Sequence, residues 1–323
     1  MNVLLLGHLV ADYKDLLEKK LSRPHEIRAV RDPHGPEAAD ALRSAEVVIL
    51  NEWKRSMLPA PKLRLLQVGG AGTDAIDRVA IPDGVPLCNA FGHEAAIGEY
   101  AVLALLAWFH RMLDQDRSFR SGNWGLSPWV KGPVHDELSD KTVGILGMGR
   151  IGLEAARRID AMGARVIACN RSPRPRPEFV AEVYAWEQTP EFLSACDALV
   201  VSCALTPETT GLLDERRLAL LSPHAIVVNI ARGPVIDEDA LYAALKERRI
   251  AGAVLDVWYR YPTRDEPSPR PSRKPFHELQ NVIMTPHASA WTRGMLERRV
   301  SQIAENIERL EDGRPLINHV SVP

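Results

Sequence analysis

The run Gly147-Met-Gly-Arg-Ile-Gly152 carries three glycines at the spacing that accepts a dinucleotide pyrophosphate. Gly147 permits a tight turn, Gly149 lets the backbone approach the phosphates, and Gly152 lets a helix pack closely on a strand. Unpaired N–H groups and the positive end of the helix dipole then hold the phosphate oxygens. Gly147, Met148, Gly149, Arg150, Ile151 and Gly152 are therefore the expected cofactor cradle. The pattern is weak alone, but here it follows a strand at Thr142–Leu146 and opens a helix, with a second strand ending at Asn170. An acidic residue at that strand end would accept hydrogen bonds from the adenosine ribose of NAD. This chain has Asn170-Arg-Ser-Pro-Arg174 instead. Asn170 removes a charge that would repel a 2′-phosphate, while Arg171, Ser172 and Arg174 offer donors to one. The combination favours NADP(H) over NAD(H). Arg171 alone decides nothing, because an arginine can stack on adenine in either case, and Arg176 reads as solvated surface.

The elements that must position this loop are short aliphatic runs alternating with helical ones. Val3–Gly7, Glu26–Val30, Val47–Asn51 and Leu63–Val68 read as strands, with helices at Asp12–Lys20 and Glu37–Ser44 between them. A second series starts at Lys141: the strand Thr142–Leu146, the helix Arg150–Met162, then strands at Arg165–Cys169, Ala198–Ser202, Ala225–Ile230, Gly252–Asp256 and Val282–Met284. Strands that are apolar without alternation belong in a parallel sheet covered on both faces. Strand–helix–strand order with right-handed crossovers gives an α/β fold of two doubly wound parallel-sheet domains. Gly98–Leu113 reads as one long helix suited to a domain or subunit contact. Arg293–Leu310 is helical and outside both strand series, so it is expected to pack back on the first domain.

Bulk properties narrow the partners. The 323 residues are 46% hydrophobic and 25% charged with a net charge of -2, and no long basic run appears, so a nucleic-acid partner is not expected. Cys88, Cys169, Cys196 and Cys203 are scattered without metal-ligand spacing, which predicts reduced, partly buried thiols and no metal site. The apolar start Met1–Gly7 lacks a basic flank and runs at once into Asp12, Lys14 and Asp15, so it reads as a strand and not a signal peptide. No apolar run has the length of a membrane span, and a cytoplasmic location is expected.

Several further motifs stand in order along the chain: Gly70-Ala-Gly-Thr-Asp74, Gly98-Glu-Tyr100, Arg120-Ser-Gly-Asn-Trp124, Leu205-Thr-Pro-Glu-Thr209, Asn229-Ile-Ala-Arg-Gly-Pro234, Leu255-Asp-Val-Trp258 and Asn281-Val-Ile-Met-Thr-Pro-His287. With Val143–Gly152 they make the chain resemble the D-isomer-specific 2-hydroxyacid dehydrogenases over nearly its whole length. The resemblance implies a Rossmann cofactor domain (100–287) inserted into a flavodoxin-like substrate domain (1–99 plus 288–323). It also implies hydride transfer between NAD(P)(H) and a 2-oxo acid or D-2-hydroxy acid, and a homodimer, for which 98–113, Trp124 and Trp129 offer apolar surface. By position, Arg232 resembles the family's substrate arginine and His287 its acid/base. The chemistry is consistent: a guanidinium holds the carboxylate and polarises the carbonyl oxygen, and an imidazole near neutral pKa moves the proton. In isolation Arg232 reads equally well as a strand-end cap and His287 as an ordinary histidine. The resemblance further assigns the backbone N–H groups of Gly70, Ala71 and Gly72 to the substrate carboxylate, and Asp256 to the nicotinamide carboxamide. Cys203, Ala204, Leu205, Thr206, Ile230 and Ala231 are assigned to the cofactor wall, although the family usually has proline where Ala204 stands.

One family position departs. A glutamate normally follows the Asp-Val-aromatic strand end and holds the histidine, but counting from Asp256 places Tyr261 there. Counting back from His287 makes Glu266 the alternative. Tyr261 is favoured because Pro262 follows it and the strand anchor is firm. A phenol orients the imidazole without the charge that would raise its pKa. Trp53, Tyr261 and Trp291 offer aromatic surface to a bulky substrate, or else belong to the core. The neutral residue at 261 also keeps open a formate-dehydrogenase-like enzyme and a dinucleotide-sensing corepressor-like protein. Intact Arg232 and His287 argue for the 2-oxoacid reductase.

Overall fold

A computed structural model describes residues 1–172, 175–263 and 266–321. Arg174, expected near the adenosine, lies outside the described residues. The chain separates into two compact units, Met1–His93 together with the chain from Trp291 onward, and Glu94–Ala290.

In the first unit β1 (Asn2–Leu6), α1 (His8–Ala11), α2 (Lys14–Lys20), β2 (Glu26–Val30), α3 (Pro36–Ser44), β3 (Val47–Leu50), β4 (Leu65–Val68) and β5 (Leu87–Cys88) follow in order. The second unit opens with α4 (Glu94–Phe109) and α5 (Met112–Arg120). It continues through β6 (Thr142–Leu146), α6 (Arg150–Asp160), β7 (Arg165–Asn170), β8 (Glu182–Ala185), α7 (Thr189–Ser194), β9 (Ala198–Val201) and α8 (Glu215–Leu218). It closes with β10 (Ile226–Asn229), α9 (Glu238–Lys246), β11 (Gly252–Leu255) and β12 (Val282–Met284), after which α10 (Arg293–Glu311) and β13 (His319–Val320) rejoin the first unit.

The first sheet has the order β13-β5-β4-β3-β1-β2, parallel except for β13. The second runs β12-β11-β10-β9-β6-β7-β8, parallel throughout. Both are doubly wound: the first is flavodoxin-like, and the second has the Rossmann order with its reversal between β6 and β9. Central strands such as Val47–Leu50 and Ala198–Val201 are buried at every residue, which is why they are continuously aliphatic. In the first unit α10 covers one sheet face with Val300, Ile303, Ala304 and Ile307, and buried Asn306 donates to the side chain of Gln67 on β4 at 2.9 Å.

The long helix expected over 98–113 is broken. Arg111 takes a left-handed φ of 53° between α4 and α5, and the two helices bend by 57°. The apolar pattern continues across the break, but α4 buries Ile97, Ala101, Leu105 and Phe109 whereas α5 buries nothing. No single helix among the described residues is long and apolar enough to cross a membrane. Strand β8 and helix α9 were not anticipated. Glu182–Ala185 is a half-exposed edge strand without an aliphatic run.

Candidate active site

The glycine loop is built as its residue types require. Gly147, at the end of β6, has a φ of 97°, and a Cβ there would fall 2.6 Å from the Cys203 backbone. At Gly152 a Cβ would lie 2.2 Å from the Gly147 carbonyl oxygen, whereas at Gly149 it would meet nothing within 4 Å. Two glycines are thus required by packing, and Gly149 leaves a bare backbone at the N-terminus of α6, the kind of helix end whose free N–H groups can hold a phosphate. Ser202 fixes the turn by donating to the Gly147 carbonyl at 2.7 Å. Arg150 lies 3.9 Å from Glu94 at the start of α4.

The side chain of Met148 is buried in the core, and its N–H donates to Asn170 Oδ1 at 3.3 Å, which ties the loop to the end of β7. Asn170 also donates from Nδ2 to the Ser172 carbonyl at 2.6 Å. The residue that ends β7 is thus an amide and not a carboxylate, and Arg171 after it is exposed with the Glu208 carboxylate 3.6 Å away. Arg176 is tied back to the Val180 carbonyl at 2.6 Å.

Beyond β9, Thr209 Oγ1 donates to the Ala204 carbonyl and accepts from the Thr206 N–H, both at 2.7 Å, which closes the segment on itself. Leu205 packs on the core beside Cys203, whose thiol burial pushes up to about 11. Ile230 and Ala231 are buried.

Arg232 follows β10 and is fixed by its neighbours. Buried Asn229 donates to the Arg232 carbonyl at 3.1 Å and accepts the Ala231 N–H at 3.1 Å. Arg232 Nη1 donates to the Ala231 carbonyl at 2.8 Å. Gly233 is obligatory, because a Cβ there would sit 2.3 Å from the Trp258 carbonyl oxygen.

His287 is exposed and holds a left-handed φ of 57°, a region that histidine enters more readily than most residues. The loop that carries it is braced by Asp256. Its fully buried carboxylate accepts from Thr285 Oγ1 at 2.6 Å, Ala288 N–H at 2.8 Å and Ser289 N–H at 3.0 Å. Because the Thr285 proton goes to the carboxylate, Tyr100 is the donor in its 2.6 Å contact with Thr285 Oγ1. Burial first of all pushes the Tyr100 phenol up to about 12, so it stays a donor at any working pH. Asp256, assigned by the resemblance to a cofactor amide, therefore spends three of its acceptor positions on the loop around His287. Tyr100 and Thr285 were missed as site residues, although both lie inside motifs quoted above.

Tyr261 sits beside the histidine, with ring centroids 5.5 Å apart. Its phenol oxygen accepts the Trp258 N–H at 3.1 Å. Glu266 is engaged elsewhere, pairing with Arg260 at 2.6 Å and donating its N–H to Thr263.

In the first unit the loop after β4 carries Gly70, Ala71 and Gly72. The Gly70 carbonyl accepts from Ala90 N–H and the Ala71 carbonyl from Asn89 Nδ2, each at 2.9 Å. Among the described residues no protein acceptor takes the three loop N–H groups. Trp53 is corrected to the core: it is fully buried and donates from Nε1 to the Ala80 carbonyl at 3.1 Å. Trp291 is 54% exposed. Among the described residues no cluster of three His, Cys, Asp or Glu side chains could hold a metal ion.

A bare Gly149, a glycine-tight turn and a Rossmann strand order fit a nicotinamide dinucleotide, and together they define a two-domain dinucleotide-dependent α/β oxidoreductase. The model of the D-isomer specific 2-hydroxyacid dehydrogenase NAD-binding domain matches residues 102–289. The chain is 34% identical over 305 residues to a glyoxylate reductase of Thermococcus kodakarensis, covering 92% of this chain and 85% of that protein. It is 31% identical over 262 residues to a hydroxyphenylpyruvate reductase of Plectranthus scutellarioides, covering 80% of this chain and 79% of that one. An NADPH-dependent glyoxylate/hydroxypyruvate reductase of Sinorhizobium meliloti, solved with NADP and sulfate, superposes with a TM-score of 0.82 at 26% identity, covering 99% and 98% of the two chains. The chain belongs to the D-isomer-specific 2-hydroxyacid dehydrogenase family, and it is an NAD(P)-dependent oxidoreductase of 2-oxo and D-2-hydroxy acids.

Proposed function

We propose that this enzyme is an NADP(H)-preferring 2-oxoacid reductase in which Arg232 polarises the substrate carbonyl and His287 delivers the proton. A dinucleotide held by Gly147–Gly152 would supply the hydride for the substrate carbon. Negative charge then grows on the carbonyl oxygen, where a guanidinium stabilises it, and an imidazolium converts it to a hydroxyl. The single observation that carries the reading is the His287 loop, braced by three hydrogen bonds from Thr285, Ala288 and Ser289 to buried Asp256, with the Tyr261 ring beside the imidazole.

Tyr261 orients the imidazole without charge. The N–H groups of Gly70, Ala71 and Gly72 take the carboxylate. For the cofactor, Asn170 replaces the acidic residue that would disfavour a 2′-phosphate, and Arg171 is the nearby described donor. Glu208, beside Arg171, works against that preference and limits its size. Exposed Tyr261 and Trp291 favour a substrate with a bulky side group, and exposed Leu103, Phe119, Trp124 and Trp129 supply apolar surface for a second copy of the chain.

Loss of nicotinamide absorbance with a panel of 2-oxo acids, run with NADPH and NADH side by side, tests the reading. Turnover with higher kcat/KM for NADPH is expected. Turnover of no 2-oxo acid would refute the reaction, a preference for NADH would refute the cofactor assignment, and equal turnover of glyoxylate and phenylpyruvate would remove the bulky-substrate reading.

A further inference from the structure

Helix α10 places a second guanidinium next to the carboxylate loop. A Cβ on Gly70 would lie 3.9 Å from both Cζ and Nη1 of Arg299, so the cation sits against the backbone whose N–H groups have no protein acceptor. Its position is over-determined. At Gly92, with a φ of 102°, a Cβ would fall 2.8 Å from the Arg298 Cβ and 3.3 Å from the Arg299 nitrogen, so α10 approaches this loop only because residue 92 is glycine. Arg298 Nε donates to the Gly92 carbonyl at 2.8 Å and pins the same turn.

The partners of Arg299 are neutral. Nη2 lies 3.4 Å from Nδ1 of His93, which must be unprotonated at that nitrogen to accept, and Nη1 lies 3.5 Å from the hydroxyl of buried Tyr13. Nε is buried with no hydrogen-bond partner, and no carboxylate pairs with Arg299 among the described residues. Arg299 is half-buried, a guanidinium has five donors, and even partial desolvation of a cation without an opposite charge is costly. Such a group gains most from an incoming anion, and the unpaired loop amides beside it provide a place for one to rest.

We infer that Arg299 supplies the fixed positive charge of the substrate-carboxylate site at Gly70–Gly72, acting as a specificity-determining residue for anionic substrates. The inference rests on the reading of that loop given above and adds its electrostatic half. Neutral amides recognise the shape of a carboxylate, and a planar guanidinium makes the site prefer the charged acid over an uncharged analogue.

The test compares the wild-type enzyme with Arg299→Met and Arg299→Lys, using the best 2-oxo acid of the panel and its methyl ester. Loss of one charge-assisted interaction predicts a KM for the acid raised about 10- to 100-fold in Arg299→Met, with kcat nearly unchanged. The KM for the ester stays constant, Arg299→Lys falls between, and NADPH affinity read by fluorescence titration does not move. Equal effects on acid and ester, or an unchanged KM for the acid, would overturn the inference. Calorimetric binding of oxalate, which is not reduced, reads the same site without turnover. Weaker oxalate binding in Arg299→Met would uphold the inference even if no 2-oxo acid were reduced, and unchanged binding would sink it.

Discussion

Replacing Asp256 by Asn separates two roles for one carboxylate. In the structure one oxygen takes Thr285 Oγ1 and the Ala288 N–H, and the other takes the Ser289 N–H. An asparagine can keep its oxygen on the first pair, but its amide then faces the Ser289 N–H donor to donor. One buried N–H is left unsatisfied, at about 1–3 kcal/mol, and two charge-assisted bonds become neutral, for about 2–4 kcal/mol in all. At about 2–4 °C per kcal/mol for a domain of this size, Tm falls by about 5–15 °C. The loop can escape part of this cost only by moving, and it carries His287. A displacement of about 1 Å at the reacting group lowers kcat by about 10²-fold. Thermal unfolding without cofactor and steady-state kinetics would measure both. If Asp256 served chiefly as a cofactor contact, Asp256→Asn would raise the cofactor KM and leave the cofactor-free Tm unchanged. That result would refute the bracing role.

Other substitutions probe the remaining parts. Gly149→Ala adds a Cβ that meets no protein atom, so Tm is expected to hold while cofactor affinity drops at least about tenfold; Gly152→Ala, whose Cβ would lie 2.2 Å from the Gly147 oxygen, should instead lower Tm, and melting with cofactor titration distinguishes the two. Tyr261→Glu brings a carboxylate beside His287, stabilises the imidazolium and raises its pKa, so in the oxidative direction, which needs neutral imidazole, the acid limb of kcat/KM moves to higher pH. For Glu238, burial pushes the carboxyl up, but donors from Ser272 and Arg273 outweigh it and hold the group below its ordinary 4.5. Its stabilisation is therefore complete above that value and lost as pH falls through the lowered folded pKa, so the Tm gap between wild type and Glu238→Gln should be widest near neutrality and close in acid.

Much of the scaffold was legible because its signals are local. The aliphatic runs at Val47–Leu50 and Ala198–Val201 say buried parallel strand on their face, and the glycines at 147, 149 and 152 announce their turn, their bare backbone and their close contact within six residues. What was not legible depends on residues distant in sequence. Asp256 looks like a strand-end acid, and its donors at 285, 288 and 289 appear only when β11 and β12 are paired. Trp53 shows why residue type is a poor guide to exposure, since an indole can line a site or, as here, fill a core with its N–H satisfied. The break at Arg111 is invisible in the hydrophobic pattern because a left-handed residue there need not be glycine. Arg299 reads as one more charge on a helix of mixed charge until the approach of α10 to Gly92 sets it against Gly70.

The first unit is completed by chain made after the second. Its edge strand β5 pairs with β13, and buried Gln67 takes its partner Asn306 from α10, yet the whole of Glu94–Ala290 is synthesised in between. On the ribosome the dinucleotide unit has its full set of strands first, while β1–β5 wait with an open edge and an uncovered aliphatic face. Until α10 emerges, that open edge and uncovered face are surfaces of the kind through which nascent chains associate.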